Sequence, residues 1–393
     1  MANRAASRFS TVGASATYAV FDQVAALRAQ GVEVLDLGGG EPDFDTPEHI
    51  VDEAVGALHD GFTHYTPSRG VPALLQAVAD KLAKDNGVLV DPASGVVVTP
   101  SAKHALFAAL MTVLDPGDEL LVPTPSWVSY TAMARLIGAQ PVQVALDGAN
   151  GFRITRELLE QHVSPRTKAL LVNSPNNPTG RALTLEEARA VSQFAAEHDV
   201  LLIADEIYEK ILYDGTEHLS LASLSCCADR TITVNGFSKG YAMTGWRLGY
   251  AAGPTDLMAQ LLKVAQHTVG CAGSFVQRAG VAALTGPQEP VQEMARAYAA
   301  RRDLVVSGLN SLPGVACSPP DGAFYAFADI RATDFPDAAT FTQWLLRETG
   351  VALMPGTAFG PGGEGYVRLS FATSPRVLRE AVERMGRALG GRA

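Results

Sequence analysis

A chain of 393 residues has room for two domains of about 150 residues each. Hydrophobic residues make up 47% and charged residues 18%, a core-rich composition that excludes disorder over most of the length. The net charge of −10, with no long basic run, argues against a nucleic-acid surface, which needs clustered Lys and Arg.

The first expected element is a helix from Tyr18 to Ala29, ended by Gly31, followed by a strand over Val32–Leu37. Thr46-Pro47-Glu48 predicts a helix start with Thr46 as N-cap, proline at the first helical position and an acid in the first turn. Beyond Pro92, short apolar strands alternate with helices. Val96–Thr99 leads into a helix from Ala102 to Leu114, broken by Asp115-Pro116-Gly117. Further strands are expected at Glu119–Val122, Lys168–Val172, Val200–Ala204 and Thr231–Val234. Thr184 with Glu187 forms a capping box that opens a helix to His198. A long helix over Val291–Leu309, a strand near Phe324–Phe327, a Gly-rich loop over Pro355–Gly365, and a final strand and helix complete the chain. The pattern is α/β: a large domain with a mostly parallel sheet between helices, flanked by a smaller α+β domain. The expected division is an N-terminal arm and first part of the small domain over 1–45, a large domain over 46–290, and the rest of the small domain over 291–393.

A membrane-spanning helix needs about 20 apolar residues. The longest apolar stretch, Ala105 to Leu114, is shorter and includes Thr112, so no membrane partner is expected. The first ten residues carry arginines with no apolar run behind them, so a cytoplasmic location is expected. Cys226, Cys227, Cys271 and Cys317 are too few and too unevenly placed for a disulfide framework, and adjacent cysteines form only strained bridges. With no CxxC or HExxH, no metal is expected. Gly38-Gly-Gly40 lacks the GxGxxG spacing of a dinucleotide loop, and Pro42 interrupts any helix after it.

In sheets of this kind, ligands sit outside the carboxyl ends of the strands. The polar residues there are Ser101-Ala102-Lys103, Asn173 through Gly180, Asp205-Glu-Ile-Tyr208, and Ser238-Lys239. Ser101 either caps its helix or helps the helix N-terminus hold a phosphate. Asp205 either reaches a ligand or caps the turn before Glu206. Lys239 lies among small and apolar residues, where desolvation lowers its proton affinity and suits its amine to Schiff-base chemistry.

These segments resemble the fold-type I, class I aminotransferases that use pyridoxal phosphate, and most closely the bacterial aspartate aminotransferase-like branch. The matching motifs are Gly40-Glu-Pro-Asp-Phe44, Tyr65-Thr-Pro-Ser-x-Gly70, Asn173-Ser-Pro-Asn-Asn-Pro-Thr-Gly180, Asp205-Glu-Ile-Tyr208, Ser238-Lys239 with Met243-Thr-Gly-Trp-Arg247, Gly322-Ala-Phe-Tyr325 and Val367-Arg-Leu-Ser370. Any one is weak; seven in order are specific, and they run along nearly the whole chain.

The resemblance implies roles. Lys239 is the lysine that binds the cofactor covalently and moves a proton, Asp205 the partner of the pyridine nitrogen, and Tyr208 and Asn177 the donors to the phenolic oxygen. Trp127 stacks on the ring, although core packing is its ordinary alternative. Ser101, Ala102, Ser238 and Arg247 hold the phosphate, with Tyr65 arriving from a second subunit, because the family's active site lies at a homodimer interface. Arg368 clamps the substrate α-carboxylate, with Asn177 and Gly40 alongside. Lys103, with Ser15 and Thr17 nearby, lies close to the distal carboxylate of a dicarboxylic substrate, which favours aspartate, glutamate and their 2-oxo acids. The implied reaction is a ping-pong transfer of an amino group from an amino acid to a 2-oxo acid.

Three departures bear on substrate choice. Pro100 stands in a stretch that is usually glycine- or serine-rich, Gly240 follows the lysine where alanine is commoner, and Tyr18 and Phe21 place two aromatics on the first helix. An aromatic, prephenate-like or secondary-metabolism substrate fits the same framework. A lyase or an amino-acid oxidase could share the scaffold, since the pocket decides the fate of the carbanion. A non-enzymatic regulator domain would need a DNA-binding module that the sequence lacks.

Overall fold

The computed structural model describes residues 6, 9–10, 12–13 and 16–391, with side chains in the first helix from residue 22 onward. The chain runs α1 (Ala16–Ala29), β1 (Leu35–Asp36), α2 (Glu48–His59), α3 (Pro72–Lys81), β2 (Val96–Thr99), α4 (Ala102–Val113), β3 (Glu119–Thr124), α5 (Ser129–Leu136) and β4 (Gln140–Ala145). It continues with α6 (Arg156–Glu160), β5 (Thr167–Asn173), α7 (Leu185–Glu197), β6 (Leu201–Asp205), β7 (Thr231–Gly236), β8 (Gly249–Ala252), α8 (Thr255–Thr268) and α9 (Ser274–Thr285). The last part is α10 (Glu289–Asn310), β9 (Tyr325–Asp329), α11 (Ala338–Thr349), β10 (Val351–Ala352), β11 (Met354–Pro355), β12 (Tyr366–Ser370) and α12 (Pro375–Gly390).

Seven strands form the main sheet in the order β2-β8-β7-β6-β5-β3-β4. Only β8 runs against the others, pairing antiparallel with β2 and β7, so the sheet is mostly parallel, as expected. The apolar runs still obey the two-residue period of a strand. In β5, Ala169 and Leu171 face a core built with Leu106 and Leu110 of α4 and Met258 and Leu261 of α8. Leu170 and Val172 face the other way, onto Val191 and Phe194 of α7. Burial on both faces explains why such strands carry no polar alternation. A smaller antiparallel sheet, β11-β12-β9, and a two-stranded parallel pair, β1-β10, complete the strands among the described residues.

Several expectations change in detail. The strand over Val32–Leu37 reduces to Leu35–Asp36, the two residues paired in register, with Val351 and Ala352. Thr46 does not cap α2: its hydroxyl donates to the Ala242 carbonyl at 2.7 Å and accepts from the Trp246 indole at 2.9 Å. Pro47 occupies the cap position instead, with no side-chain cap bond, so a long-range tie has outcompeted the local one. The capping box at Thr184 and Glu187 is present in both directions. β4 and β8 were not legible. β4 is an edge strand with Pro141 and one buried residue, Val144, and β8 is only four small or aromatic residues, too short to carry a pattern.

Gly249 in β8 has a specific purpose. A Cβ there would lie 2.3 Å from the amide nitrogen of Ala102, so only glycine lets the first turn of α4 settle against the sheet. No helix among the described residues is long and apolar enough to cross a membrane.

Candidate active site

The strand ends open on a cavity of about 660 Å³, a size ordinary for a small-molecule site. β5, β6 and β7 deliver Asn173, Asp205 and, just beyond the last strand, Ser238 and Lys239 to its wall. Asn173 and Asp205 are register partners, so parallel pairing alone sets the amide beside the carboxylate.

Asp205 is 3% exposed. Its Oδ2 accepts from the Tyr130 hydroxyl at 2.6 Å and its Oδ1 from the Ile207 amide at 3.3 Å. The carboxylate therefore serves both readings left open for it, facing the cavity and bracing the turn. Burial pushes its pKa up to about 6, against the pull of the Tyr130 hydrogen bond. Lys239 donates from Nζ to the Gly40 carbonyl at 2.5 Å and lies 5.8 Å over the Phe324 ring. Burial lowers its pKa to about 8; Glu41 opposes the shift, and Arg247 and Arg368 add to it. A neutral amine is thus accessible near physiological pH, the condition that imine chemistry requires.

Arg368 sits in β12 opposite Phe327 of β9 and is 4% exposed. Its guanidinium donates to Asn177 Oδ1 at 2.9 Å and to the Gly38 carbonyl at 2.5 Å, and it stacks over Tyr325 and Phe359 at 4.5 and 4.7 Å. Among the described residues its buried Nε has no hydrogen-bond partner. A planar, partly unsatisfied buried guanidinium is suited to a carboxylate. Tyr208 shares a hydrogen bond of 2.9 Å with the Tyr325 hydroxyl, and burial raises the pKa of both phenols.

Ser101 has a left-handed φ of 107° and caps α4, accepting from the His104 amide at 3.3 Å. Pro100 does not spoil the turn. The Ser101 amide donates to the Thr99 carbonyl at 2.8 Å, and the Thr99 hydroxyl donates to the Ser101 carbonyl at 2.9 Å. Ala102, Ser238 and Arg247 line the same cavity, Arg247 with its side chain tied to the Thr244 carbonyl at 2.7 Å. Trp127 packs edge-on to Tyr130, with centroids 5.4 Å apart, and Lys103 Nζ lies 4.9 Å over the Trp127 ring. Desolvation, then the Arg247 charge, lowers the Lys103 pKa.

Tyr65 is not among the lining residues; it is 97% exposed. Ser15 lies outside the described residues, as do the side chains of Thr17, Tyr18 and Phe21. Gly40 lines the cavity with Gly38, Gly39 and Glu41. Sequence reasoning missed Tyr130, whose partner Asp205 lies 75 residues further along the chain, and gave Tyr325 no role beyond its motif. All four cysteines are free thiols, and burial pushes Cys227 and Cys317 up to about 12.

Residues 32–385 match the family model described as aminotransferase class I and II. An aspartate aminotransferase of Musicola paradisiaca is 48% identical over 98% of this chain and 96% of its own length. Aromatic-amino-acid aminotransferase 2 of Thermococcus litoralis is 43% identical over 92% of this chain and 93% of that protein. The solved structure of the aspartate aminotransferase from Rhizobium meliloti superposes with a TM-score of 0.95 at 40% identity, covering 98% of this chain and 99% of the other. The chain therefore belongs to the class I and II aminotransferases and is a fold-type I enzyme that works with pyridoxal phosphate.

Proposed function

We propose that this aminotransferase exchanges the amino group of aspartate or glutamate with their 2-oxo acids in a ping-pong cycle. The observation that carries this reading is the joint presence of Arg368 and Lys103 in one cavity, two cations for the two carboxylates of such a substrate. Arg368, buried and with Nε unsatisfied, takes the α-carboxylate with Asn177 and Gly40 beside it, and Lys103 takes the distal one, with Ser15 and Thr17 in support.

The residues fit pyridoxal phosphate. The buried carboxylate of Asp205 suits a cationic ring nitrogen, whose charge would draw its pKa back down. Ser101, Ala102, Ser238 and Arg247, gathered at the N-terminus of α4, suit a phosphate. Tyr208 and Asn177 offer hydrogen bonds to a phenolic oxygen, Trp127 offers a ring face, and the Lys239 amine suits an aldehyde. When bound, the cofactor withdraws electrons from the substrate Cα–H bond. The work of the chain is then to orient that bond and to move its proton. Lys239 Nζ accepts the Cα proton as a neutral amine, the form that its pKa of about 8 makes available. Trp127, Leu106 and Ile207 give the same cavity an apolar wall.

The exposure of Tyr65 supports a homodimer in which this phenol completes the partner's phosphate site. We assign an N-terminal arm and the first part of the small domain to 1–45, the large domain to 46–290, the remainder of the small domain to 291–393, and the location to the cytoplasm. A second reading, an aromatic donor, draws support from Trp127 and Leu106 in the wall and from the likeness to the Thermococcus litoralis protein.

The deciding experiment is the visible spectrum of the purified holoenzyme under nitrogen, with amino acids added singly. Loss of the cofactor band with aspartate or glutamate, and its return with 2-oxoglutarate or oxaloacetate, supports the dicarboxylate reading. A response to aromatic donors alone moves the substrate, and recovery only on admitting air replaces transfer with oxidation.

A further inference from the structure

The cavity wall at Gly38–Glu41 is a loop that supplies backbone acceptors to the two most important cations. Arg368 Nη2 donates to the Gly38 carbonyl, and Lys239 Nζ to the Gly40 carbonyl, each at 2.5 Å. A backbone carbonyl can orient a cation only if something fixes the backbone. Inside the cavity the loop rests directly on Tyr325: a Cβ at Gly40 would lie 2.6 Å from the Tyr325 hydroxyl. What holds the far end of the loop, at Asp43 and Phe44, comes from another part of the chain.

That hold is Arg301, just past the middle of α10 on its buried face. Its side chain is 9% exposed and donates from Nη1 to Asp43 Oδ1 at 2.6 Å. Its guanidinium also stacks over the Phe44 ring at 4.7 Å and the Tyr298 ring at 5.4 Å. Phe44 meets Tyr298 edge-on at 5.3 Å, Tyr298 packs on Phe324 at 5.4 Å, and Phe324 is the ring under Lys239 and against Tyr208 and Tyr325. One arginine thus grips both the loop and the aromatic wall on which the loop lies.

We propose that Arg301 is a positioning residue for amino transfer: it clamps Asp43 and Phe44 and so sets the Gly38 and Gly40 carbonyls against Arg368 and Lys239. The inference rests on the reading that Arg368 receives the α-carboxylate. Arg301 has no place in the cavity wall and touches no substrate. It acts through the loop, and both of its properties, a directed charge and a flat stacking plane, are used at once.

The test uses the holoenzyme and succinate, a dicarboxylate that cannot react, titrated through the cofactor absorbance. Because a displacement of about 1 Å in a positioning group can cost on the order of a hundredfold, Arg301→Gln is expected to weaken succinate about tenfold. Its kcat/KM for aspartate should fall further than that, since Lys239 is displaced as well. Arg301→Lys, which keeps the charge without the plane, should recover part of the loss. Asp43→Asn, which removes the charge of the clamp from the loop side but keeps an acceptor oxygen, should reproduce part of the loss and serves if Arg301→Gln does not fold.

Arg302→Gln is the stability control. Arg302 is the next residue on α10 and is also ion-paired, to Asp214 and Asp303, but it does not touch the loop. It should lower the melting temperature and leave succinate binding alone. Succinate affinity within twofold of wild type in both Arg301→Gln and Asp43→Asn, or an equal loss in Arg302→Gln, would overturn the inference. Arg368→Lys separates the two levels: if that variant binds succinate as wild type does, the assignment of Arg368 has failed rather than the clamp.

Discussion

Replacing Tyr130 by phenylalanine removes one hydrogen bond and almost nothing else. The ring is buried and packs edge-on to Trp127, so the apolar contacts and the volume survive. What is lost is the 2.6 Å donation to Asp205 Oδ2, made between two buried side chains. A hydrogen bond to a charged group is worth about 1.5–3 kcal/mol, and at 1.36 kcal/mol per unit that equals about 1–2 pKa units. Asp205, at about 6 in the intact site, should then ionise about 1–2 units higher, near neutrality or above. Its ability to pair with a cationic ring nitrogen should weaken in proportion. Cofactor affinity, measured by titrating the cofactor-free protein, should fall about 2- to 10-fold at pH 7, by more at pH 6, and recover as pH rises. The folded state should persist, with an unchanged far-ultraviolet spectrum. An affinity within twofold of wild type across pH 6–9 would show that Tyr130 merely packs, and would refute the account of how Asp205 stays ionised.

Three other outcomes can be checked directly. Lys103→Ala should raise KM for aspartate about tenfold, the loss of one charge-assisted contact of modest exposure, and leave a monocarboxylic donor such as alanine within about twofold; equal losses for both would assign Lys103 to the phosphate or the fold. Gly249→Ala forces a methyl to 2.3 Å from the Ala102 amide nitrogen and should push the first turn of α4 off the sheet, so that cofactor retention during gel filtration is lost even where the protein folds. The third concerns the buried ionic cluster behind the site, in which Lys81 pairs with Glu209 and His218 lies 3.0 Å from Glu206. Glu209 is depressed to about 2, with Lys81 and then His218 overcoming its burial, so its stabilisation of about 3 kcal/mol is present above the ordinary carboxylate range and is lost as pH falls toward 2. His218 is raised, Glu206 and Glu209 outweighing its burial, so its share is complete below the ordinary histidine pKa and is lost as pH rises through the raised value. Urea midpoints against pH should therefore decline on both flanks; in His218→Gln the alkaline decline should flatten, and the acid decline should shrink less, because Lys81 still depresses Glu209.

The reactive residues were legible because each sits at a strand end, and strand ends are marked in the sequence by apolar runs that stop at a polar residue. Leu201–Asp205 and Thr231–Gly236 need no partner information to place Asp205 and Lys239 at one edge of a parallel sheet. The capping box at Thr184 was equally local, its two groups lying three residues apart on one turn. Tyr130, Tyr325 and Arg301 were not legible, because their value comes from partners 75, 117 and 258 residues away. Thr46 shows the same limit from the other side. By itself it is a helix cap, and only the folded chain brings Ala242 and Trp246 close enough to claim its hydroxyl. Short-range order follows from periodicity and capping, which the sequence states outright. The electrostatics of Asp205 and Lys239 follow from desolvation and from distant neighbours, and these exist only once the chain has closed around them.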